Sequence, residues 1–170
     1  MTYWEKRRHL AYYRTAVDYV RSYATAGTLL DVGSGIQFGC RYLEWLPEFN
    51  RTSIELCDDA GTRLDGVRSI FGDFLAWQPD RTYDVALCLQ VIEHVPDAKL
   101  FTEKLFDFAR TVVLSVPYQW PNGCCKQHVH DPIDESKLQS WTGRVPDRSE
   151  IVGDGRGRDR LVAVYAAQPR

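Results

Sequence analysis

The segment Leu29-Leu30-Asp31-Val32-Gly33-Ser34-Gly35-Ile36 constrains the fold more than any other. It is an apolar strand ending in an acid, then glycines two residues apart, then a stretch able to start a helix. Glycine permits a tight turn at the carboxyl end of a strand and lets a ligand approach with no Cβ in the way. Open α/β sheets bind ligands at that edge. A dinucleotide site with pyrophosphate on the helix N-terminus competes, but its fingerprint is GxGxxG. Here the glycines fall at 33, 35 and 39. An acid two residues before the first glycine also suits a cationic ligand group better than pyrophosphate. A purely structural strand–turn–helix is the third reading.

The rest of the chain alternates in kind. Residues 28–32, 52–56, 67–71, 83–89, 111–116, 151–152 and 161–165 read as seven strands, with the fourth apolar almost throughout, as a central parallel strand is. Between them lie helical stretches at 38–46, 97–110 (Asp97 as cap) and 134–141. Leu10, Tyr13, Val17, Val20 and Ala24 form one face of a helix over roughly 4–25, ended by Gly27. Strands alternating with helices predict a mainly parallel sheet covered on both faces. The glycine-rich turn at 153–157 predicts an antiparallel closing pair.

With 170 residues and a net charge of −2, the chain has room for a sizeable core and no global basic field to attract nucleic acid. Five cysteines without a CxxC pair argue against a disulfide scaffold and for a reducing cytosol. The first residues lack the apolar core of a signal peptide, and no apolar run is long enough to span a bilayer. A cytoplasmic protein is the expectation.

Asp31-Val32-Gly33-Ser34-Gly35 resembles the first motif of the class I S-adenosylmethionine-dependent methyltransferases, and later segments resemble that family in order. The resemblance implies a Rossmann-like, seven-stranded, mostly parallel sheet with an antiparallel last strand and helices on both faces. It implies one methyltransferase domain over 1–170, with an N-terminal helix within 1–26 and an acceptor-side loop and short helix at 118–142. Glu55, twenty residues after Gly35, stands where the family grips the ribose hydroxyls. Asp73 stands where it takes the adenine amino group, and Phe74 where it borders the base. Residues 83–95 resemble the fourth-strand motif of the small-molecule branch. The implied cofactor contacts are Asp31, Gly33, Gly35, Glu55, Asp73, Phe74 and Gln90. Gln37 departs from the family, many members of which carry a third glycine there.

Such a cofactor brings an electrophilic methyl group, so the protein must hold an acceptor in line and help remove its proton. Candidates are Glu93 and His94, just past the fourth strand, and His128 and His130 in the loop after the fifth. On an extended segment His128 and His130 would point the same way. With Glu93 and His94 they would make a mixed N/O site for Mg²⁺, Mn²⁺ or Zn²⁺. This pattern also resembles the metal-dependent RNA 3′-end 2′-O-methyltransferases, except that Gln90 stands where that family has a further glutamate. Cys124-Cys125 with the histidines is a weaker zinc pattern than CxxC.

Trp4, Tyr118, Trp120 and Trp141 are candidate pocket walls. Arg144, Arg148, Arg156, Arg158 and Arg160 form a basic stretch suited to a phosphate or carboxylate, or to a solvated face. The reading that follows is O-methylation of a small-molecule hydroxyl, such as a sugar's or a natural-product intermediate's, with His128 or His130 as base. The expected state is a monomer or homodimer, with neither nucleic acid nor membrane as partner. RNA 2′-O-methylation, N- or C-methylation, and a non-catalytic cofactor-binding partner subunit are the alternatives.

Overall fold

The computed structural model describes residues 1–35, 39–58, 63–155 and 157–166. Its elements are α1 (Tyr3–Arg7), α2 (Ala11–Tyr23), β1 (Gly27–Val32), a 3-10 helix (Gly39–Trp45), β2 (Phe49–Glu55), β3 (Val67–Phe71), β4 (Tyr83–Leu89), α3 (Ala98–Phe108), β5 (Ala109–Pro117), α4 (Glu135–Thr142), β6 (Arg148–Val152) and β7 (Arg160–Ala166). The strands form one sheet in the order β3-β2-β1-β4-β5-β7-β6. β1 to β5 pair in parallel, and β7 runs antiparallel between β5 and β6. The chain winds outward from β1 in one direction and from β4 in the other. The crevice for a ligand therefore lies beyond the carboxyl ends of β1 and β4.

Both faces of the sheet are covered, which explains the continuous apolar runs. Val85, Leu87 and Leu89 of β4 point to a core shared with α1, α2 and the 3-10 helix. Ala86 and Cys88 point to a second core with Phe101 and Leu105 of α3 and Leu138 of α4. Leu29 against Leu30, and Val162 against Ala163, divide in the same way. A strand buried on both sides has no polar phase to show. All five cysteines are free.

The N-terminal helix departs from expectation: it is two helices, not one. α1 is closed by a capping box in which Thr2 accepts from the Glu5 amide and Glu5 accepts from the Thr2 amide. The chain then folds back, so that the Trp4 ring meets Tyr13 edge-on at 5.3 Å and Trp45 at 5.6 Å. In one straight helix Trp4 and Tyr13 would be separated by about 13.5 Å along the axis. Aromatic burial thus wins over helical continuity. The stretch predicted as a helix at 38–46 is a 3-10 helix over Gly39–Trp45, with residue 38 outside the described residues. β6 begins at Arg148 rather than at Ile151. It is an edge strand whose exposed Arg148 and Glu150 discourage further pairing.

The Asp97 side chain accepts from the Leu100 amide and caps α3. Asp97→Ala is expected to cost about 1 kcal/mol of stability, read as a lower urea midpoint at unchanged slope. A midpoint equal to that of the parent would show that the cap contributes nothing.

Candidate functional site

Two depressions lie along the carboxyl edge of the sheet. The first is lined by Ser34, Gly35, Ser53, Glu55, Arg63 and Phe71, at the ends of β1, β2 and β3. The turn after β1 is built on glycine: Gly33 has φ +76° and Gly35 has φ +73°. A Cβ on Gly33 would lie 2.4 Å from a Val91 methyl, and one on Gly39 would lie 2.7 Å from the Ser34 carbonyl oxygen. Glu55 closes the turn by accepting from the Gly35 amide at 2.7 Å.

Asp31 is 1% exposed. Its Oδ1 accepts a short hydrogen bond from the Tyr42 hydroxyl. Its Oδ2 is buried with no partner among the described residues. Burial pushes the carboxyl up to about 7, against the pull of the Tyr42 hydroxyl. An orphaned buried carboxylate oxygen next to a glycine cradle is a place made for a cationic group.

Other predicted cofactor contacts are placed differently. Phe74 turns into the core against Phe101, with ring centroids 5.0 Å apart. Asp73 is exposed, and its Oδ1 accepts from the Leu75 amide at 2.8 Å. Gln90 takes φ +59° and lines the second depression. Its side chain donates to Ser115 Oγ at 3.2 Å and accepts from Arg160 Nε at 3.2 Å.

The second depression is a cleft of about 380 Å³ between α1, the end of β4, the loop after β5 and the β6–β7 hairpin. Glu93, His94 and His128 meet there, each with a ligand atom within 4.8 Å of the others. His128 Nδ1 lies 2.7 Å from Asp131 Oδ2, and its ring stacks 5.6 Å from Trp120. A carboxylate accepts, so in the neutral ring Nδ1 carries the proton and Nε2 the lone pair. His94 Nδ1 donates to the Gln127 carbonyl at 3.0 Å. Burial lowers the His94 pKa.

Glu93 is 1% exposed, and its Oε2 has no partner among the described residues. Burial pushes its carboxyl up to about 8. The folded chain then keeps that proton up to about pH 8, whereas the unfolded chain releases it near pH 4.3. Stability therefore falls as pH rises between those limits. In EDTA, Glu93→Gln should melt on the order of 5 °C above the parent at pH 8, with the gap closing by pH 5. Equal melting temperatures at pH 8 would show that Glu93 ionises in the fold at no cost.

His130 does not join this group. Its Nε2 lies 2.7 Å from the Val95 carbonyl oxygen, and its ring packs 4.9 Å from Trp141. The parallel orientation expected of His128 and His130 needs an extended segment, and residues 121–134 are turns and bends. A hydrogen bond to Val95 and packing on Trp141 leave His130 a poor base or ligand for this cleft. Of the candidate aromatic walls, Trp120 lines the cleft, while Trp4 lies in the first core and Tyr118 and Trp141 pack against the second. Arg158 and Arg160 reach the cleft, whereas Arg144 covers Phe106 and Arg148 covers Tyr19. Arg156 lies outside the described residues. Sequence reasoning gave Asp131 and Tyr42 no role at the site. The i, i+3 spacing of His128 and Asp131 was the available signal.

No protein-family profile matches the chain, and no curated protein sequence does. Solved structures do match. The N-methyltransferase NodS from Bradyrhizobium japonicum WM9, in complex with S-adenosyl-L-homocysteine, superposes with a TM-score of 0.73 at 14% identity, covering 99% of this chain and 89% of that one. This chain has the class I methyltransferase fold. The 1,6-didemethyltoxoflavin-N1-methyltransferase from Burkholderia thailandensis, with its substrate and S-adenosylhomocysteine bound, gives a TM-score of 0.70 at 17% identity, over 95% and 80% of the two chains. The methyltransferase domain of bacterial CtHen1-C gives 0.69 at 17% identity, over 93% and 97%. The depression holding Gly35 and Glu55 is at the sheet edge where open α/β folds bind their ligands. Among the described residues no helix is long and apolar enough to cross a membrane.

Proposed function

We propose that this chain is an S-adenosylmethionine-dependent methyltransferase acting on a hydroxyl of a small molecule, with His128 as the base. The observation that carries the choice of a hydroxyl is the His128–Asp131 pair at 2.7 Å in the wall of the cleft. A neutral amine can accept a methyl group before it loses a proton. A poorly acidic hydroxyl needs a base during transfer. Two neighbours are N-methyltransferases, so the fold does not choose the acceptor atom.

The residues fit the cofactor. Asp31 Oδ2, orphaned and buried, suits the cationic methionine amine. Glu55 suits the ribose hydroxyls, because a carboxylate accepts from both. The turn of Gly33 and Gly35 lets the backbone approach. When bound, S-adenosylmethionine supplies a methyl group on a sulfonium, which departs as a neutral thioether. His128 Nε2 would take the proton of a hydroxyl held in the cleft. Asp131 holds the tautomer and stabilises the charged ring that results. Trp120 stacks on the face of the His128 ring.

A second reading has its own support in the Glu93, His94 and His128 cluster and the orphaned Glu93 Oε2. These three residues would hold a divalent metal, which would orient the hydroxyl and lower its pKa. His130 is too committed to Val95 to complete that set.

Calorimetric titration with S-adenosylhomocysteine tests the reading. We expect micromolar binding, weakened about 100-fold by Glu55→Ala through loss of charge-assisted hydrogen bonds. An absence of binding by the parent would overturn the enzymatic reading. A separate Mn²⁺ heat, lost in His94→Ala, would establish the metal-assisted form, and no Mn²⁺ heat would leave His128 acting alone.

A further inference from the structure

The cleft is walled by more cation than its acids neutralise. Lys6 and Arg7 come from α1, and Arg158 and Arg160 from the β6–β7 hairpin. Facing them in the lining are two carboxyl groups, Glu93 and Asp154. Even with both ionised, two positive charges remain.

Arg160 is the telling residue. It is 5% exposed, yet among the described residues no carboxylate accepts a hydrogen bond from it. Its Nε donates to the neutral Gln90 amide at 3.2 Å, and its Nη1 to the Arg158 carbonyl at 3.0 Å. Asp154 Oδ2 stands at 3.8 Å from Nη1. Tyr12 and Trp120 flank the guanidinium at 5.0 and 5.2 Å. Nη2 has no hydrogen-bond partner among the described residues. Burying a guanidinium is costly unless a well-placed anion compensates it. The aromatic faces hold the fork flat, which suits bidentate contact with a carboxylate or phosphate. Arg158, exposed and stacked on Trp120 at 5.3 Å, extends the same cationic wall.

We infer that the acceptor carries an anionic group, a carboxylate or a phosphate, which docks on Arg160 and Arg158 and so brings its hydroxyl to His128. This rests on the acceptor cleft of the proposed methyltransferase, and it narrows the substrate to acidic hydroxyl compounds.

The test uses ¹⁵N-labelled full-length protein saturated with S-adenosylhomocysteine. Inorganic phosphate, acetate, glucose 6-phosphate, glucuronate and glucose are each titrated in. The reporters are the Trp120 indole N–H, which donates to the Asp159 carbonyl, and Arg160 Nε–H. The anionic probes are expected to shift both signals at millimolar concentration, and glucose is not. Arg158→Gln, an exposed change that spares the fold, should weaken that response at least fivefold. Phosphate compounds outdoing carboxylates would identify a phosphorylated acceptor, and the reverse a carboxylic acid. Reporters that stay still with every anion, or move equally with glucose, would overturn the inference. Failure of S-adenosylhomocysteine to bind, with anion binding intact, would instead overturn the methyltransferase reading.

Discussion

Gly33→Ala should weaken S-adenosylhomocysteine binding by at least about 100-fold and lower the melting temperature. Two costs combine. An alanine held at φ +76° is strained by roughly 1–2 kcal/mol. Its Cβ would also lie 2.4 and 2.9 Å from the two Val91 methyls, distances that packed atoms do not tolerate. The chain must relieve this by moving the turn. That turn carries Gly35, whose amide is fixed to Glu55 at 2.7 Å, so the displacement passes directly to the Glu55 carboxylate.

The two costs separate experimentally. Gly33→Ala with Val91→Ala removes the clash and keeps the backbone strain, so it should recover part of the affinity. Gly143→Ala, at the C-cap of α4 with φ +62° and open space around the new methyl, imposes similar strain outside the site. It should lose about 1 kcal/mol of stability and keep full affinity. A Gly33→Ala protein that binds within threefold of the parent would show that the cradle is not the cofactor site.

What the sequence conveyed and what it hid follow from the range of the interactions involved. The seven strands were legible because apolar runs on β1, β4, β5 and β7 answer to both faces of the sheet, a requirement local to each strand. The cap at Asp97 was legible for the same reason. The break between α1 and α2 was not, because it is decided by Trp4 meeting Trp45, forty-one residues away. Phe74 misled because position in a motif does not say whether a side chain turns to ligand or to core. Here Phe101 supplies a core partner. His130 misled because alternation holds for extended chain, and its loop is built of turns. Arg160 stood in a basic stretch whose members look alike in sequence. The hairpin buries this one and directs it to the cleft, while Arg144 and Arg148 serve other elements.

His128→Asn should lower turnover of a hydroxyl acceptor by about 10²- to 10⁴-fold, the usual contribution of a positioned base. The change should leave S-adenosylhomocysteine affinity within twofold, because His128 lines the 380 Å³ cleft and not the depression at Glu55. Asparagine keeps a polar group beside Trp120 but has no basic nitrogen, so the loss reads chemistry rather than packing. Asp131→Asn should cost less. Its amide still reaches His128 but donates as readily as it accepts, so the tautomer with Nε2 free is no longer enforced. Two readouts separate a base from a scaffold. In His128→Gly, added imidazole should restore part of the turnover. An amine analogue of the acceptor, which needs no proton removed before transfer, should be methylated at nearly the parent rate by His128→Asn. Equal losses on amine and hydroxyl acceptors would make His128 a structural wall. A loss that Mn²⁺ reverses in His128→Asn would transfer its role to the cluster with Glu93 and His94, where the nitrogen serves as a ligand. Asp131 on Nδ1 and the stacked Trp120 fix the ring, an arrangement that serves a base and a metal ligand alike, so the Mn²⁺ response decides between them.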